Sequence, residues 1–582
     1  MDIQSVERIQ NLWNNYGTLS RIYLSGSSRF ESVIVKHIQI PQQDAHPKGF
    51  TSSFSKQRKI KSYQVETHWY LEYNHIIANS VDSPTPRCLD AFNSGSELFL
   101  LLEDLSTRGF SKRIYNTSWN DITVVLRWLA HFHAQFLTCA PDGLWQCGTY
   151  WHLATRPEEY NNIRNTNIHT AASFIDAKLQ GCSFQTFVHG DAKLANFCFY
   201  PDRSKVAAVD FQYVGRGCGM KDVAYFVGSC LNEQQCKQEE QSILNFYFSQ
   251  LRSHLSASKI DCDALESEWR SLYHTAWADF QRFLLGWSPH HQKNNSYSQI
   301  ITRHTVEQIF DELLEVAISA CKKAGEYVRK NWKKQHNIDR KGFESHAADM
   351  VTQVDIQAQN IISDILSPTM KLYDLGLLAE EGTHDDSRFQ KHAFWTIDPL
   401  DGTQFFVEGK EGFAISIGLV SNQGEAILGV VYDPVNHNLY HAIKGRGFYI
   451  NNQRVKNTND SAENTQISFF ADRSLQKHPQ FPHLETIFNI QFVGGAVMNT
   501  IHVLTNPFSI YCKPPKKSLG GCAIWDLAAV SLILTEAGGT ACFFDGSILE
   551  LNRKHSIYFN DVGLFFSSSN ISYTQISKIL PL

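Results

Sequence analysis

WTIDPLDGTQFF, Trp395 to Phe406, decides how the second half of this 582-residue chain is read. An apolar run ends in two aspartates, Asp398 and Asp401, set three positions apart across a proline turn. That spacing aims both carboxylates and the intervening carbonyl of Leu400 at one point. Gly402 and Thr403 follow at a predicted helix start, where backbone amides suit a phosphate oxygen. Hydrolysis of a phosphomonoester needs a dianion neutralised and hydroxide made near neutral pH. Magnesium on hard oxygen ligands supplies both. Working outward, LLAEEG provides Glu380 and Glu381, and VTQVD provides Thr352 and Asp355. AIWDLAAVSLILTEAGG, Ala523 to Gly539, places Asp526 where an apolar helix opens. Asp526 also reads as an N-cap, and DPLDGT alone as an ordinary strand-to-helix turn. The ordered set of acidic partners argues against the plainer reading.

A second signature, FVHGDAKLANFCFY, runs from Phe187 to Tyr200, and VAAVDFQ follows it, ending at Gln212. Phosphoryl transfer from a nucleotide needs a cation on the phosphates, oxygen ligands for magnesium and a base beside the acceptor hydroxyl. Asp191 would take the hydroxyl proton. Asn196, five residues on, and Asp210, at the end of an apolar strand, would hold magnesium. His189 reads as structural.

The first signature resembles the inositol monophosphatase superfamily, within it the CysQ-like 3′(2′),5′-bisphosphate nucleotidase branch, from about Val306 to Leu580. GVVYDPVNHNLYHAIKGRGFYIN and LTEAGGTACFFDGS belong to the resemblance. It implies a layered αβαβα sugar-phosphatase sandwich, with Glu380, Asp398, Leu400 (through its carbonyl), Asp401 and Asp526 on Mg2+. It also implies Thr352 with Asp355 orienting or deprotonating water, and Thr403 on the phosphate. Two departures bear on substrate: GGAVMN puts Asn499 where that branch has lysine, and the segment Lys341–Thr352 is long. The second signature resembles the catalytic loop of the protein-kinase-like fold, in its aminoglycoside phosphotransferase and choline kinase branch. SYQVETHWY, LLEDL and GTYWHLATRP are most similar to the ecdysteroid-kinase-like small-molecule kinases. This resemblance covers roughly Arg21 to Asn295. It implies ATP as donor, Lys36 on its phosphates with Glu66 as partner, and Glu103 with its neighbours at the adenine hinge. LSGSSRF has one glycine, Gly26, where a protein kinase has G-x-G-x-x-G.

At roughly 100–200 residues per domain the chain is too long for one core. The expected architecture is two-domain: an α+β kinase-like bilobal unit over 1–303 (small lobe to about 105, helical lobe after it), then an α/β unit over 304–582. Gly286–His304 is turn-rich and marks the boundary. Beyond it Val306, Ile309, Phe310, Leu313, Ala317, Cys321 and Ala324 keep to one helical stripe. The first half is expected to open with helix. Strands follow at Arg21–Leu24, Ser32–Ile40, Glu97–Leu105, and near Phe199 and Val206–Val209. FAISIGLV and AILGVVYDP read as strands of the second half. Trp69, Tyr150, Trp151 and Trp287 read as core rather than as a pocket lining.

A net charge of −5 argues against a nucleic-acid polymer as partner. Thirteen scattered cysteines without C-x2-C spacing read as free thiols of a reducing compartment. MDIQSVERIQ has no apolar signal core, and no apolar run reaches about 18 residues, so cytoplasm and no membrane are expected. The partners expected are a small-molecule hydroxyl acceptor and a phosphate monoester, with a homodimer as the phosphatase family's habit. The leading expectation is one chain that both adds and removes phosphate. The alternative is a phosphatase for an inositol phosphate or bisphosphate nucleotide, carrying a kinase-like module that binds or regulates. A scaffold with two remnant sites is a third.

Overall fold

A computed structural model describes residues 2–12, 15–26, 30–39, 53–94, 97–164, 166–334, 338–340, 350–455, 466–518 and 520–580. Residues 27–29 of LSGSSRF, Ile40, and 341–349 of the long segment before Thr352 lie outside them. The chain forms two compact units, Met1–Val306 and Glu307–Leu582.

The first unit opens with a five-stranded antiparallel sheet: β1 (Asp2–Asn11), β2 (Gly17–Ser25), β3 (Ser32–Gln39), β4 (Cys88–Asn93) and β5 (Glu97–Glu103). Their order is β1-β2-β3-β5-β4. The expected opening helix is therefore a strand. Ile3, Val6 and Ile9 imitate a helical stripe, but two register shifts against β2, between Ile3/Ser5 and Arg8/Gln10, produce that spacing in an edge strand. All of β1 is exposed, so a helix there would have had no core to bury its stripe against. α1 (Ser53–His68) carries Glu66 and continues into one π-helical turn, Trp69–Tyr73. Trp69 is fully buried and stacks on Phe211 at 4.7 Å.

Helices then dominate: α2 (Trp119–Gln135), α3 (Asn167–Gln180), α4 (Met220–Cys230), α5 (Glu233–Leu255) and α6 (Cys262–Trp287). Three short buried strands, β6 (Thr186–Val188), β7 (Phe197–Phe199) and β8 (Val206–Ala208), hold the signature segments. The HGD loop lies between β6 and β7, and Asp210 follows β8. Val209 N–H donates to the Asn196 carbonyl at 3.0 Å, tying the two segments together. Trp151 is buried as expected, whereas Trp287 is 49% exposed, its ring stacked on Phe283 at 5.7 Å.

The boundary is not a loop. α7 (Ser296–Asn331) is a single 36-residue helix, and the division falls inside it. The polar stretch 296–304 hides its first turns, because side-chain bonds rather than an apolar stripe anchor them. Trp277 Nε1 donates to Ser298 Oγ (3.1 Å), and Tyr297 OH to Glu240 (2.5 Å).

In the second unit, helices and sheets alternate in layers. α7 and α8 (Gln353–Tyr373) lie on a seven-stranded sheet, where a Cβ on Gly325 would meet the Tyr432 ring at 2.4 Å. That sheet runs β9 (Gly376–Ala379), β10 (Ala393–Asp401), β11 (Ala414–Ser421), β12 (Ala426–Asp433), β13 (Asn438–Ile443), β14 (Phe448–Ile450), β15 (Gln453–Arg454), in sequence order. Only β9 and β10 pair in parallel. A second sheet comprises β16 (Ser468–Phe470), β17 (Asn489–Gln491), β18 (Ser509–Lys513), β19 (Thr540–Phe543) and β20 (Leu564–Ser567), ordered β17-β16-β18-β20-β19. Between the sheets lie α10 (Ala496–Thr505) and α11 (Ile524–Glu536). α11 is buried from Ile524 to Leu534, which its all-round apolar sequence requires. Short helices at Phe481–Ile487 and Tyr573–Ile576 cover the far face of the second sheet.

Candidate active sites

In the second unit the two aspartates of DPLDGT do not flank a turn. Both belong to β10, and the register against β11 slips between them, a bulge that re-aims side chains at a strand end. Gly402 follows at φ 85°, and a Cβ there would lie 2.7 Å from the Gly412 carbonyl, so the position demands glycine. It opens α9 (Thr403–Val407). Asp398, Asp401 and Asp526 present carboxylate oxygens that all lie within 4.8 Å of one another.

Each carboxylate is held from behind by backbone. Leu400 N–H donates to Asp398 (3.0 Å), and Ala523 N–H to Asp526 (2.7 Å). The amides of Ala496 and Val497 donate to the two oxygens of Asp401 at 3.1 and 2.9 Å. Asp526 is thus in the first turn of α11 and reaches back to Ala523; it is not the N-cap. Glu380 leaves β9 beside this group, its N–H bonded to the Ile397 carbonyl (3.1 Å).

Thr352 caps α8. Its hydroxyl and N–H both donate to Asp355 Oδ2, at 2.5 and 2.9 Å. Thr403 Oγ1 bridges Asp355 Oδ1 and the Leu400 carbonyl, each at 3.1 Å, rather than standing free for a phosphate. Burial and the charge of Glu380 push Asp355 and Asp526 up to about 6. Burial and neighbouring carboxylates push Asp398 and Asp401 well above the usual range. Among the described residues none of the three clustered aspartates makes an ion pair with lysine or arginine. Buried oxygens crowded this closely take up protons or a cation, and an all-oxygen set of this kind fits Mg2+.

Sequence reading missed the residues behind the cluster. Gly495 is one: a Cβ there would fall 2.3 Å from Asp401 Oδ2. The glycine pair before an apolar helix in GGAVMN was the available signal. Asn499 donates to the Gly494 carbonyl (3.1 Å) and Asp472 (3.3 Å), and Asp472 pairs with Lys513 (2.5 Å). Nothing local to those segments links them.

In the first unit Lys36 on β3 pairs with Glu66 on α1 at 2.6 Å, and Asp210 lies 3.5 Å from the same ammonium. Burial opposes the charge on Lys36, but the two carboxylates outweigh it. Asp210 adopts a left-handed backbone (φ 73°), a conformation retained at functional sites. Lys36, Lys59 and Lys193 overcome burial to hold it at about 2. Asp191 accepts from Lys193 Nζ (2.8 Å), Asn196 Nδ2 (3.0 Å) and Tyr225 OH (3.2 Å). His189 braces the loop: its Nε2 bonds the Val209 carbonyl at 3.1 Å. Buried Asp222 accepts the amides of His189 and Gly190 at 2.5 and 3.0 Å, a support not visible in the motif. The Glu103 carboxylate is taken up by Arg87 and Arg108 (2.5 and 3.0 Å), so its side chain braces the end of β5 instead of facing a nucleotide base. All thirteen cysteines are free, and among the described residues no helix is long and apolar enough to cross a membrane.

The layered fold and the carboxylate cluster define a metal-dependent phosphatase. The chain belongs to the inositol monophosphatase family, whose model matches residues 310–575. Nus factor SuhB of Haemophilus influenzae is 30% identical over 281 residues, covering 46% of this chain and 96% of that protein. Inositol-1-monophosphatase of Bacillus subtilis is 28% identical over 252 residues, 42% of this chain and 91% of its own length. Among solved structures, Thermotoga maritima IMPase is 25% identical with a TM-score of 0.39, covering 46% of this chain and 96% of that one. The ecdysteroid kinase-like family model matches residues 146–260.

Proposed function

We propose that the chain is a bifunctional enzyme: its first unit transfers phosphate from ATP to a hydroxyl of a small molecule, and its second hydrolyses a small-molecule phosphate monoester. The first unit is then a protein-kinase-like bilobal fold, and the second an αβαβα sandwich. The observation that carries the kinase reading is the buried Lys36–Glu66 pair with Asp210 on the same ammonium. A module that only bound or regulated would have no need for that arrangement beside an Asp191 already oriented by Lys193, Asn196 and Tyr225. Asp191 takes the acceptor hydroxyl's proton, and Lys36 and Lys193 face the phosphates. Asn196 and Asp210 would hold Mg2+.

In the second unit Glu380, Asp398, the Leu400 carbonyl, Asp401 and Asp526 would hold Mg2+. When bound, it neutralises these carboxylates and the phosphate, and lowers the pKa of water. Thr352 Oγ1 accepts a proton from the attacking water as its own hydrogen passes to Asp355 Oδ2. A carboxyl raised to about 6 suits that task near neutral pH. The amides at the start of α9, from Gly402 and Thr403, face phosphate oxygen.

The test uses the Asp526→Asn protein, in which any phosphorylated product survives. Incubated with Mg-ATP and a metabolite extract, it is expected to add one phosphoryl group to a compound detected by mass spectrometry. Wild-type protein added afterwards should erase that product. No Mg-dependent ATP binding, with phosphate release from esters intact, would leave the second unit as the sole enzyme.

A further inference from the structure

A cavity of about 470 Å3 lies in the helical part of the first unit, lined by Ser229, Cys230, Trp277, Phe280, Gln281 and Lys293 among others. It abuts the catalytic loop. Ser229 Oγ accepts the Leu194 N–H at 3.0 Å, and Tyr225, on the same helix α4, donates to Asp191. Lys293 Nζ stands 5.0 Å from the Tyr225 ring centroid and 5.5 Å from that of Phe280.

This ammonium has no carboxylate within ion-pair distance among the described residues. Burial, reinforced by Lys193, brings it down to about 8 against the pull of Cys230 and Asp191. Glu233, the one acidic residue lining the cavity among the described residues, already accepts from Ser296. Lys293 is half-buried, and an ammonium set against two ring faces with no carboxylate beside it is free to pair with an anionic group of a ligand. Nor is Lys293 needed for the phosphate donor: Lys36 and Lys193 already sit on Asp210 and Asp191. The volume suits a small molecule, and Trp277 and Phe280 provide apolar walls.

We propose that this cavity receives the phosphate acceptor, and that the acceptor is a hydroxylated small molecule bearing a carboxylate or phosphate that pairs with Lys293. The inference rests on the kinase reading above. In the step, the acceptor oxygen bonds to the γ-phosphorus of ATP, its proton goes to Asp191, and the bond to the β–γ bridging oxygen breaks to release ADP.

The experiment offers Mg-ATP to the full chain carrying Asp526→Asn, with three probe sets: hydroxy-carboxylates, polyol phosphates, and their neutral amide or polyol counterparts. ADP release and mass gain are measured. One acidic set is expected to exceed its neutral counterparts in kcat/KM by on the order of 10- to 100-fold, as a charge-assisted bond allows. Which acidic set is used identifies the anion. Lys293→Met should remove that preference and Lys293→Arg restore part of it. Neutral compounds used equally well, or a Lys293→Met loss shared by both sets, would overturn the proposal while the kinase reading stands. Equilibrium dialysis against a metabolite extract provides a second arm, independent of turnover. Acids retained by wild type and lost by Lys293→Met, without ADP release, would keep the cavity assignment and remove the kinase activity. No acid retained differentially would overturn the assignment.

Discussion

Gly495 shows how closely single residues are matched to the phosphatase site. Its backbone is ordinary (φ −69°), so alanine there is not a strain problem but a space problem, with Asp401 as the neighbour that must move. Gly495→Ala is expected to leave the fold intact by circular dichroism and to raise the Mg2+ needed for half-maximal phosphate release by on the order of 10-fold or more. An unchanged Mg2+ requirement would show that Asp401 is not a ligand. Asp191→Asn separates the two activities: ATP-dependent transfer should fall by on the order of 100-fold or more while phosphate release is retained. Full transfer by that variant would remove Asp191 as base. At this scale the motif residues were legible because their spacing reports chemistry. Asp222 and Gly495 were not, since each acts through a partner far away in sequence, and Lys293 was not, since only the folded chain brings it to a cavity wall.

At the scale of elements, the bulge in β10 and the first turn of α11 bring carboxylates together that would repel without a cation. The folded pKa values of Asp355 and Asp526, about 6, lie above the unfolded value. The metal-free folded state therefore holds more protons than the unfolded one between about pH 4 and 6, and its stability falls as pH rises through that window. For Asp355 alone the shift corresponds to roughly 3 kcal/mol. In chelator, the second unit should melt at a lower temperature at pH 7.5 than at pH 5, and Mg2+ should reverse most of the loss. Equal melting temperatures at the two pH values would contradict the crowding. Two elements escaped the sequence for different reasons. β1 was read as helix because bulges imitate a spacing of three. The start of α7 was read as loop because its anchors, Tyr297 and Ser298, are polar.

Over the whole molecule, calorimetry is expected to resolve two transitions, with Mg2+ alone raising the second unit's and Mg-ATP raising the first's. A single transition unaffected by either ligand would contradict independent units. Because Tyr297 and Ser298 bond to Glu240 and Trp277, a piece comprising residues 1–306 should melt several degrees above one comprising 1–290. Equal melting would mean that the first turns of α7 contribute nothing to the first unit. The sequence by itself determined the phosphatase family of the second unit, pointed to a kinase-like first unit, and set the motif residues of each in order along the chain. Ligand spacing and apolar periodicity are local properties, and local properties survive in one dimension. The tertiary structure alone decided that α10 amides hold Asp401 and that Asp222 holds the amides of His189 and Gly190. It alone decided that Lys293, which has no carboxylate within ion-pair distance among the described residues, lines a cavity with Ser229, whose hydroxyl holds the Leu194 amide. Each of these depends on chain segments tens of residues apart meeting in space, and no local pattern encodes such a meeting.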